Sequence, residues 1–292
     1  MEHAITTFRQ LYFACKEANK KIYETALDYE ASRGEYSEYN VRLQAKKSLD
    51  AMKEAIKTGL NSTEPSPSGM SGDDCNKLQK KYKNSASVLG AVAQKIMTYA
   101  LATSEQNLRM GTIVACPTAG SCGIVPAVLI AYAEDNNISE CEQINALITA
   151  GEVGRLVSNK MALAGAVGGC QAECGVAAAM ASAALTQMRG GSVKQIINAV
   201  ALALKNILGL TCDPVCGLVE IPCVKRNPFL AIHAVTASEL AMADIISKIP
   251  IDEVVDAMEQ TGKLMSPLLK ESSQGGLAKT KTAIALEKNI LK

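Results

Sequence analysis

Apolar side chains recur every three to four residues along most of the chain, the spacing of helices with one buried face. In residues 7–33 and 37–58 they stand among many Lys and Glu residues, and Gly34 and Gly59 are predicted to end these two helices. The same criterion predicts further helices at residues 76–83, 88–110, 124–134, 142–158, 176–188, 193–208, 238–247, 252–261 and 283–291. No convincing alternation of strands with helices is found, so the pattern predicts an all-α protein.

The helix pattern suggests two parts. Residues 1–60 are expected to form an N-terminal helical arm or hairpin, and residues 61–292 a single large all-helical domain. Alanine and glycine are frequent in the helices of the second part, and small side chains let helices approach closely. We expect these helices to pack around a central site, with both parts forming one structural unit.

Composition and charge exclude several classes of function. The 292 residues are 48% apolar and 20% charged, which is ample material for a core, and the net charge is +1. A chain with so little net charge has no excess of positive charge to attract nucleic acid or an anionic membrane. The chain also has few aromatic side chains on which nucleic-acid bases could stack, namely three Phe, eight Tyr and no Trp.

The chain is expected to be soluble and cytoplasmic. Its most apolar long stretch, residues 161–185, contains Gln171 and Glu173, and a charge at bilayer depth costs on the order of 2–3 kcal/mol or more. A buried helix is therefore predicted there. Residues 1–9 lack a basic segment followed by an apolar one, so no signal peptide is expected, and the thiols should be reduced.

Ten cysteines are the most informative chemical feature, and five of them lie in residues 165–227 beside Gly, Pro, Asp or Glu. No Cys-x-x-Cys pair occurs and there are only two histidines, so zinc-ribbon, two-cluster ferredoxin and zinc-finger sites are poorly supported. Cys15, Cys75 and Cys141 are interpreted as packing residues. Spacing alone does not choose metal ligands among the remaining thiols, which are Cys116, Cys122, Cys170, Cys174, Cys212, Cys216 and Cys223.

Two loops offer polar groups at predicted helix starts. Residues 61–75 are rich in Ser, Pro and Gly and form either a linker or a set of hydroxyl and N–H donors for an anion. Residues 116–123 read Cys-Pro-Thr-Ala-Gly-Ser-Cys-Gly, which suits either a cradle for a carboxylate or phosphate, or a tight turn.

Four motifs carry a resemblance to a known family. They are Cys116-Pro-Thr-Ala-Gly-Ser-Cys-Gly, Gly168-Gly-Cys-Gln-Ala-Glu, Cys212-Asp-Pro-Val-Cys-Gly with the following residues to Asn227, and Gly275-Gly-Leu-Ala. They resemble the α chain of the iron–sulfur-dependent L-serine dehydratases (L-serine ammonia-lyases), over nearly the whole chain. The resemblance implies a [4Fe-4S] cluster held by Cys170, Cys212 and Cys223. Relatives lack cysteine at Cys174 and Cys216, which are expected to support the ligands or fill space.

The resemblance also implies a reaction. Three protein ligands leave one of four irons open, and that iron is expected to act as a Lewis acid on the β-hydroxyl of L-serine. β-Elimination of water would then give pyruvate and ammonia. The residues expected to orient the substrate are Ser66, Ser68, Gly69, Thr118, Gly120, Ser121, Arg226 and Asn227.

The general base is not evident. His3 is expected in a mobile terminus and His233 in a structural role, which leaves Ser121 or Lys160 as candidates. Two-chain relatives have a β chain with a Ser-Ser-His-Thr element, so a heterodimer or heterotetramer is expected with the base on the partner. Single-chain relatives can cap the open iron with a C-terminal cysteine, and no such cap is expected here because the chain ends at Lys292.

The chain departs from the family pattern in two places. Residues 160–165 read Lys-Met-Ala-Leu-Ala-Gly where relatives read Asn-Ala-Ser-x-Ser/Ala-Gly, and Asp73 replaces a glycine. One alternative is therefore a different β-hydroxy or β-substituted amino acid, such as one with an acidic group for Lys160. Another is a non-catalytic, cluster-bearing subunit. A pyridoxal-phosphate lyase would need a Schiff-base lysine and a phosphate loop, but Gly-Gly-Cys explains the glycines better.

Overall fold

The fold is all-α, as predicted. The computed structural model describes residues 4–34 and 36–290, and within these ranges it contains helices and no β-strand. The helices are α1 (Phe8–Ala18), α2 (Ile22–Ser32), α3 (Glu38–Asn61), α4 (Asp74–Asn84), α5 (Gly90–Leu108), α6 (Ile124–Asp135), α7 (Glu140–Ser158), α8 (Gly165–Gly168), α9 (Val176–Met188), α10 (Val193–Lys205), α11 (Cys223–Met242), α12 (Ile251–Leu264) and α13 (Lys281–Ile290).

Helix α9 lies at the centre of the molecule. It is rich in alanine, and its residues from Val176 to Thr186 are all buried. Helices α6, α7, α10 and α11 pack around it. Because alanine adds little bulk, these four helices approach α9 closely. Its N-terminal end, at residue 176, is joined to the Gly-Gly-Cys segment by residues 171–175, so the centre of the fold also positions that segment.

The N-terminal helices share this core. Phe8, Leu11 and Leu49 belong to the same buried cluster as the side chains of α9. The backbone N–H of Phe8 donates to Asp252 Oδ1 at 2.9 Å, which attaches the start of α1 to α12. The N-terminal helices and the rest of the chain therefore form one domain. The division of that domain into an arm and a main part at residue 60 stays a prediction. None of the described helices is both long and apolar enough to cross a membrane.

The prediction of one helix across residues 7–33 was wrong. Asn19 adopts a left-handed conformation (φ 52°) and its N–H bonds to the carbonyls of Cys15 and Lys16, which ends α1. Helix α2 begins three residues later, at Ile22. Asparagine tolerates this conformation better than most residues, so it ends helices much as glycine does.

The predicted stop at Gly59 was also wrong, because α3 continues to Asn61. Gly59 is buried, and a Cβ built on it would overlap the carbonyl oxygen of Ala102 in α5. The glycine lets the backbones of α3 and α5 touch, a role that only the tertiary structure reveals.

The longest misjudged helix is α11. The sequence predicted a helix only at residues 238–247, whereas α11 begins at Cys223 and ends at Met242 with Pro228 inside it. Proline usually lies near a helix start, and the many turn-forming residues before it concealed this helix. The correction matters for function, because the first turns of α11 carry Cys223, Arg226 and Asn227.

Candidate functional site

Cys170 lies in a tightly held turn. It follows α8 and precedes a π-helical segment, Gln171–Gly175, that leads into α9. Such segments are rare and occur often at functional sites. The Gln171 side chain donates to the Met258 carbonyl at 3.0 Å and accepts the N–H of Gly209 at 2.9 Å. The turn is thereby fixed against α12 and against the segment that leads to Cys212.

Cys212 lies on an extended segment that the C-terminal part of the chain holds in place. Its N–H donates to the Leu269 carbonyl at 2.8 Å, and its carbonyl accepts the N–H of Glu271 at 2.6 Å. The next residue, Asp213, accepts the N–H of Leu277 at 2.8 Å. Gly276 is left-handed (φ 58°), and a Cβ there would lie 2.5 Å from Asp213 Oδ2. The Gly275-Gly-Leu-Ala motif therefore clamps the Cys212 segment.

Cys223 begins α11 and is tied to the 116–123 loop through Asn227. The Asn227 side chain accepts the N–H of Gly123 at 2.9 Å. It donates to the carbonyls of Gly120 at 2.9 Å and Cys223 at 3.0 Å. Asn227 is buried, so this amide joins two candidate site segments. Its predicted contact with substrate remains a prediction.

Three thiols from these separate segments converge. Cys170, Cys212 and Cys223 are 1%, 3% and 7% exposed. Burial and the nearby Cys170 sulfur raise the pKa of Cys223 to about 12. Burial and the Glu173 carboxylate raise the pKa of Cys212. Of the other four candidate thiols, only Cys174 joins this group, through a hydrogen bond with Cys170. Cys116 and Cys122 lie together elsewhere in the interior, and Cys216 is partly exposed.

The donor set fits an iron–sulfur cluster. Within residues 4–34 and 36–290, no group of three His, Cys, Asp or Glu side chains is placed to hold a single metal ion. Soft thiolate sulfurs are the ligands that iron–sulfur clusters take, and a four-iron cluster needs its ligand sulfurs spread over different irons. Gly165 lets the backbone approach these groups closely, because a Cβ there would overlap Glu173 Oε2 and lie 2.9 Å from Cys212 Sγ.

Arg226 lies beside Cys170. Its guanidinium donates to Asp213 Oδ1 at 3.0 Å and to the Thr211 carbonyl at 2.9 Å. The pKa of Cys170 is lowered, first by its hydrogen bond with Cys174 and then by the positive charge of Arg226. The structure thus places Arg226 against a thiol, although the sequence predicted it to orient substrate.

Glu173 is a site residue that the sequence did not single out. Its side chain lies beside Thr118 and the backbone of Gly165, and its Oε2 accepts from Cys212 Sγ at 3.8 Å. Burial raises the pKa of this carboxyl. The only sequence signal was its place in Gly168-Gly-Cys-Gln-Ala-Glu, three residues after a predicted ligand.

The serine-rich loop faces another carboxylate. The hydroxyls of Ser66 and Ser68 donate to the buried Glu220 at 3.0 Å and 2.9 Å, and Glu220 lies three residues before Cys223. Gly69 is left-handed (φ 72°) with open space around its Cα. The loop is thus fixed near the thiols. In the 116–123 loop, the Ser121 and Thr118 hydroxyls lie 3.2 Å apart.

The candidate bases are placed as follows. Lys160 lies at the surface, where its Nζ donates to Asp256 at 2.8 Å. That hydrogen bond raises the pKa of Lys160, so the amine is protonated at neutral pH, which counts against a role as a base. Ser121 is buried and donates to main-chain carbonyls. The Nε2 of His233 lies 2.8 Å from the Ala203 carbonyl, and His3 lies outside the described residues.

The chain is similar to known proteins over most of its length. The sequence profile described as "Serine dehydratase alpha chain" matches residues 17–278. The chain is 43% identical to the probable L-serine dehydratase alpha chain of Bacillus subtilis (strain 168), covering 97% of this chain and 94% of that protein. It is 39% identical to the L-serine dehydratase alpha chain of Peptoniphilus asaccharolyticus, covering 99% of each. It is 44% identical to L-serine dehydratase TdcG of Escherichia coli (strain K12), covering 63% of this chain and 41% of that protein.

Proposed function

The chain belongs to the serine dehydratase alpha chain family, and from this membership we propose that it is the α subunit of an L-serine ammonia-lyase. The observation that carries the proposal is the convergence of three buried thiols from separate segments beside the Glu173 carboxylate. In the reaction, L-serine loses its α-proton and β-hydroxyl as water to give aminoacrylate. Aminoacrylate tautomerises to an imine, which takes up water to give pyruvate and ammonia.

The cofactor in this proposal is a [4Fe-4S] cluster. Cys170, Cys212 and Cys223 would hold it, since they are the three thiols that converge from different segments. When bound, such a cluster supplies an iron without a protein ligand, which acts as a Lewis acid and makes hydroxide a better leaving group. The burial of three soft sulfur donors from different segments supports this assignment.

The remaining side chains would orient the substrate. The Glu173 carboxylate lies beside the thiols and offers an ion-pair partner for the substrate ammonium. The Thr118 and Ser121 hydroxyls form the polar edge of the neighbouring loop and suit the substrate carboxylate. Ser66 and Ser68 are held by Glu220, so their loop would close the site as a fixed wall rather than a free linker.

Glu173→Gln is expected to lower kcat/KM for L-serine by about 10- to 150-fold. The variant keeps the shape of the side chain but removes a charged hydrogen bond, which is worth about 1.5–3 kcal/mol. Pyruvate release should be measured on preparations matched for iron content, so that loss of cofactor is not counted. The control is Glu239→Gln, which alters an exposed carboxylate paired with Arg189 and should change nothing. An unchanged kcat/KM in Glu173→Gln would remove this residue from the substrate site.

A partner chain would supply the base. The relatives of similar length are named alpha chains, and none of the histidines, lysines or serines considered above is placed as a base by the described structure. We infer that a β chain docks beside the thiols and provides it. A compartment that keeps thiols reduced fits the same proposal, since all ten cysteines are free.

The test is anaerobic reconstitution with iron and sulfide, alone and with the β chain, followed by pyruvate release from a panel of β-hydroxy amino acids. We expect pyruvate from L-serine only when both iron and the β chain are present. A reconstituted complex that does not convert L-serine but acts on an acidic analogue would instead favour the alternative in which the substrate is a different β-hydroxy amino acid. Lys160, the residue suggested to meet the acidic group, is paired with Asp256 at the surface.

A further inference from the structure

Glu105 and Arg109 form a buried ion pair at the C-terminal end of α5. Their side chains are 0% and 8% exposed, and Arg109 Nη2 lies 3.2 Å from Glu105 Oε2. Burying two charges costs free energy that their mutual attraction does not reliably return. A pair in this position therefore calls for a local reason, and both side chains make further bonds to the serine-rich loop of residues 61–75.

The pair bonds to this loop near its start and at its end. Arg109 Nε donates to the Glu64 carbonyl at 2.7 Å. Glu105 Oε1 accepts the N–H groups of Asp74 at 2.7 Å and Cys75 at 3.2 Å. These are the first two residues of α4, where unpaired N–H groups and the helix dipole favour a negative charge. The two charges of one ion pair therefore hold both ends of the loop against α5.

The loop between these ends is tightly folded. The N–H of Ser66 donates to the Ser71 carbonyl at 2.8 Å, which joins the two limbs of the loop. Gly72 has a positive φ of 125°, and a Cβ there would lie 2.7 Å from the Cα of Pro65. The serine hydroxyls of the loop donate to the buried Glu220. Because its limbs are joined, the loop should move as one piece, and its position depends on the bonds that hold it from outside.

We propose that Glu105 and Arg109 are positioning residues, which together set where the serine-rich loop lies and so place its hydroxyls at the substrate site. The proposal rests on the proposed function, because it takes this loop as a wall of the site where L-serine binds. Without the pair, both ends of the loop would lose their bonds to α5, while Glu220 would still hold the serine hydroxyls. The loop would then lie in its place in a smaller fraction of the molecules, and substrate would bind less tightly. Neither residue belongs to the four motifs that carry the resemblance.

Arg155 provides a matched control. It pairs with a buried carboxylate, that of Glu152, at 2.6 Å and donates to the Ile5 carbonyl at 2.9 Å. Its side chain is 19% exposed, and that of its partner is 3% exposed. This pair joins α7 to the segment before α1 instead of to the serine-rich loop. Replacing Arg155 therefore breaks a comparable buried ion pair without loosening that loop.

The experiment compares the wild type with Arg109→Met, Arg109→Lys and Arg155→Met. Hydrogen–deuterium exchange of residues 62–75 is measured by mass spectrometry on the metal-free chain. KM and kcat for L-serine are measured on complexes that are reconstituted with the β chain and matched for iron content.

We expect the loop amides of Arg109→Met to exchange about 10- to 100-fold faster, because the variant loses charged hydrogen bonds to Glu64 and Glu105. Its KM should rise about 10-fold while kcat changes less, since the loop contributes to binding. Arg109→Lys keeps a charge opposite Glu105 and should show a smaller change in exchange, of about 3- to 10-fold. Arg155→Met should match the wild type in loop exchange and in KM.

The outcomes separate this inference from the proposed function. If the wild type converts L-serine and Arg109→Met matches it in loop exchange or in KM, the positioning role is overturned. The role is also overturned if Arg155→Met raises KM as much as Arg109→Met does, because a general loss of stability would then explain both. If the wild-type complex does not convert L-serine, the proposed function fails and the placing of substrate fails with it, whereas faster loop exchange in Arg109→Met would still show that the pair holds the loop. Should Arg109→Met not fold by circular dichroism, Arg109→Lys takes its place, and wild-type exchange and KM in that variant would equally overturn the inference.

Discussion

Cys212→Ser is expected to abolish iron retention and pyruvate formation. Serine offers a hard, neutral hydroxyl where an iron–sulfur cluster needs a soft thiolate. The backbone at Cys212 is fixed by hydrogen bonds to Leu269 and Glu271, so the serine would hold its hydroxyl where the sulfur stood. Mutating a residue that only orients a metal ligand lowers metal affinity or activity by about 10- to 100-fold. Losing the ligand itself should therefore lower both by more than about 100-fold.

Cys216→Ser is the control for this prediction. Cys216 belongs to the same Cys-x-x-x-Cys pair but is partly exposed, and the charges that affect its pKa are Glu287 and Glu220 rather than the other thiols. The variant should keep its iron and its activity. If it loses iron as Cys212→Ser does, or if Cys212→Ser retains a full cluster, the proposed ligand set is wrong.

Gly59→Ala is expected to lower the free energy of unfolding by about 1–3 kcal/mol or more, because overpacking a well-filled interior usually costs that much. The added methyl group would meet the Ala102 carbonyl, which belongs to the backbone of α5 and cannot rotate away. Helices α3 and α5 would have to separate, and buried side chains of α3, such as Met52 and Ile56, would lose contacts in the core. Denaturant unfolding of the metal-free protein measures the effect.

Gly151→Ala is the control and should act in the opposite direction. Gly151 lies inside α7 on an exposed face, and outside the backbone of that helix no atom lies within 4 Å of the place an added methyl group would take. Replacing a mid-helix glycine with alanine there should stabilise the protein by about 0.5–1 kcal/mol. A Gly59→Ala variant that unfolds at the wild-type denaturant concentration would show that the α3–α5 contact is not as close as described.

Much of the fold could be predicted from the apolar periodicity. The helix at residues 176–188 has the predicted bounds, because it is uninterrupted and bordered by glycine. The errors arose where one residue type serves two purposes. Gly59 permits a helix crossing instead of ending a helix, and Asn19 ends a helix with a residue that gave no strong signal.

The site was less predictable, because its contacts join residues far apart in sequence. Spacing left seven thiols as possible ligands, and only the fold shows that Cys170, Cys174, Cys212 and Cys223 meet. Glu173 has no local signal, since Thr118 and Cys212, which give it a role, come from other segments. The partners of Arg226 and Ser66 likewise follow from packing that no periodicity records.

The central claim is that three cysteines hold a four-iron cluster and leave one iron to the substrate. Mössbauer spectroscopy of the reconstituted wild-type chain with its β chain, before and after addition of L-serine, tests it most directly. The claim predicts four irons per α chain and a change at one iron site when L-serine binds. A protein that binds no iron, or four irons whose spectrum L-serine leaves unchanged, would contradict it.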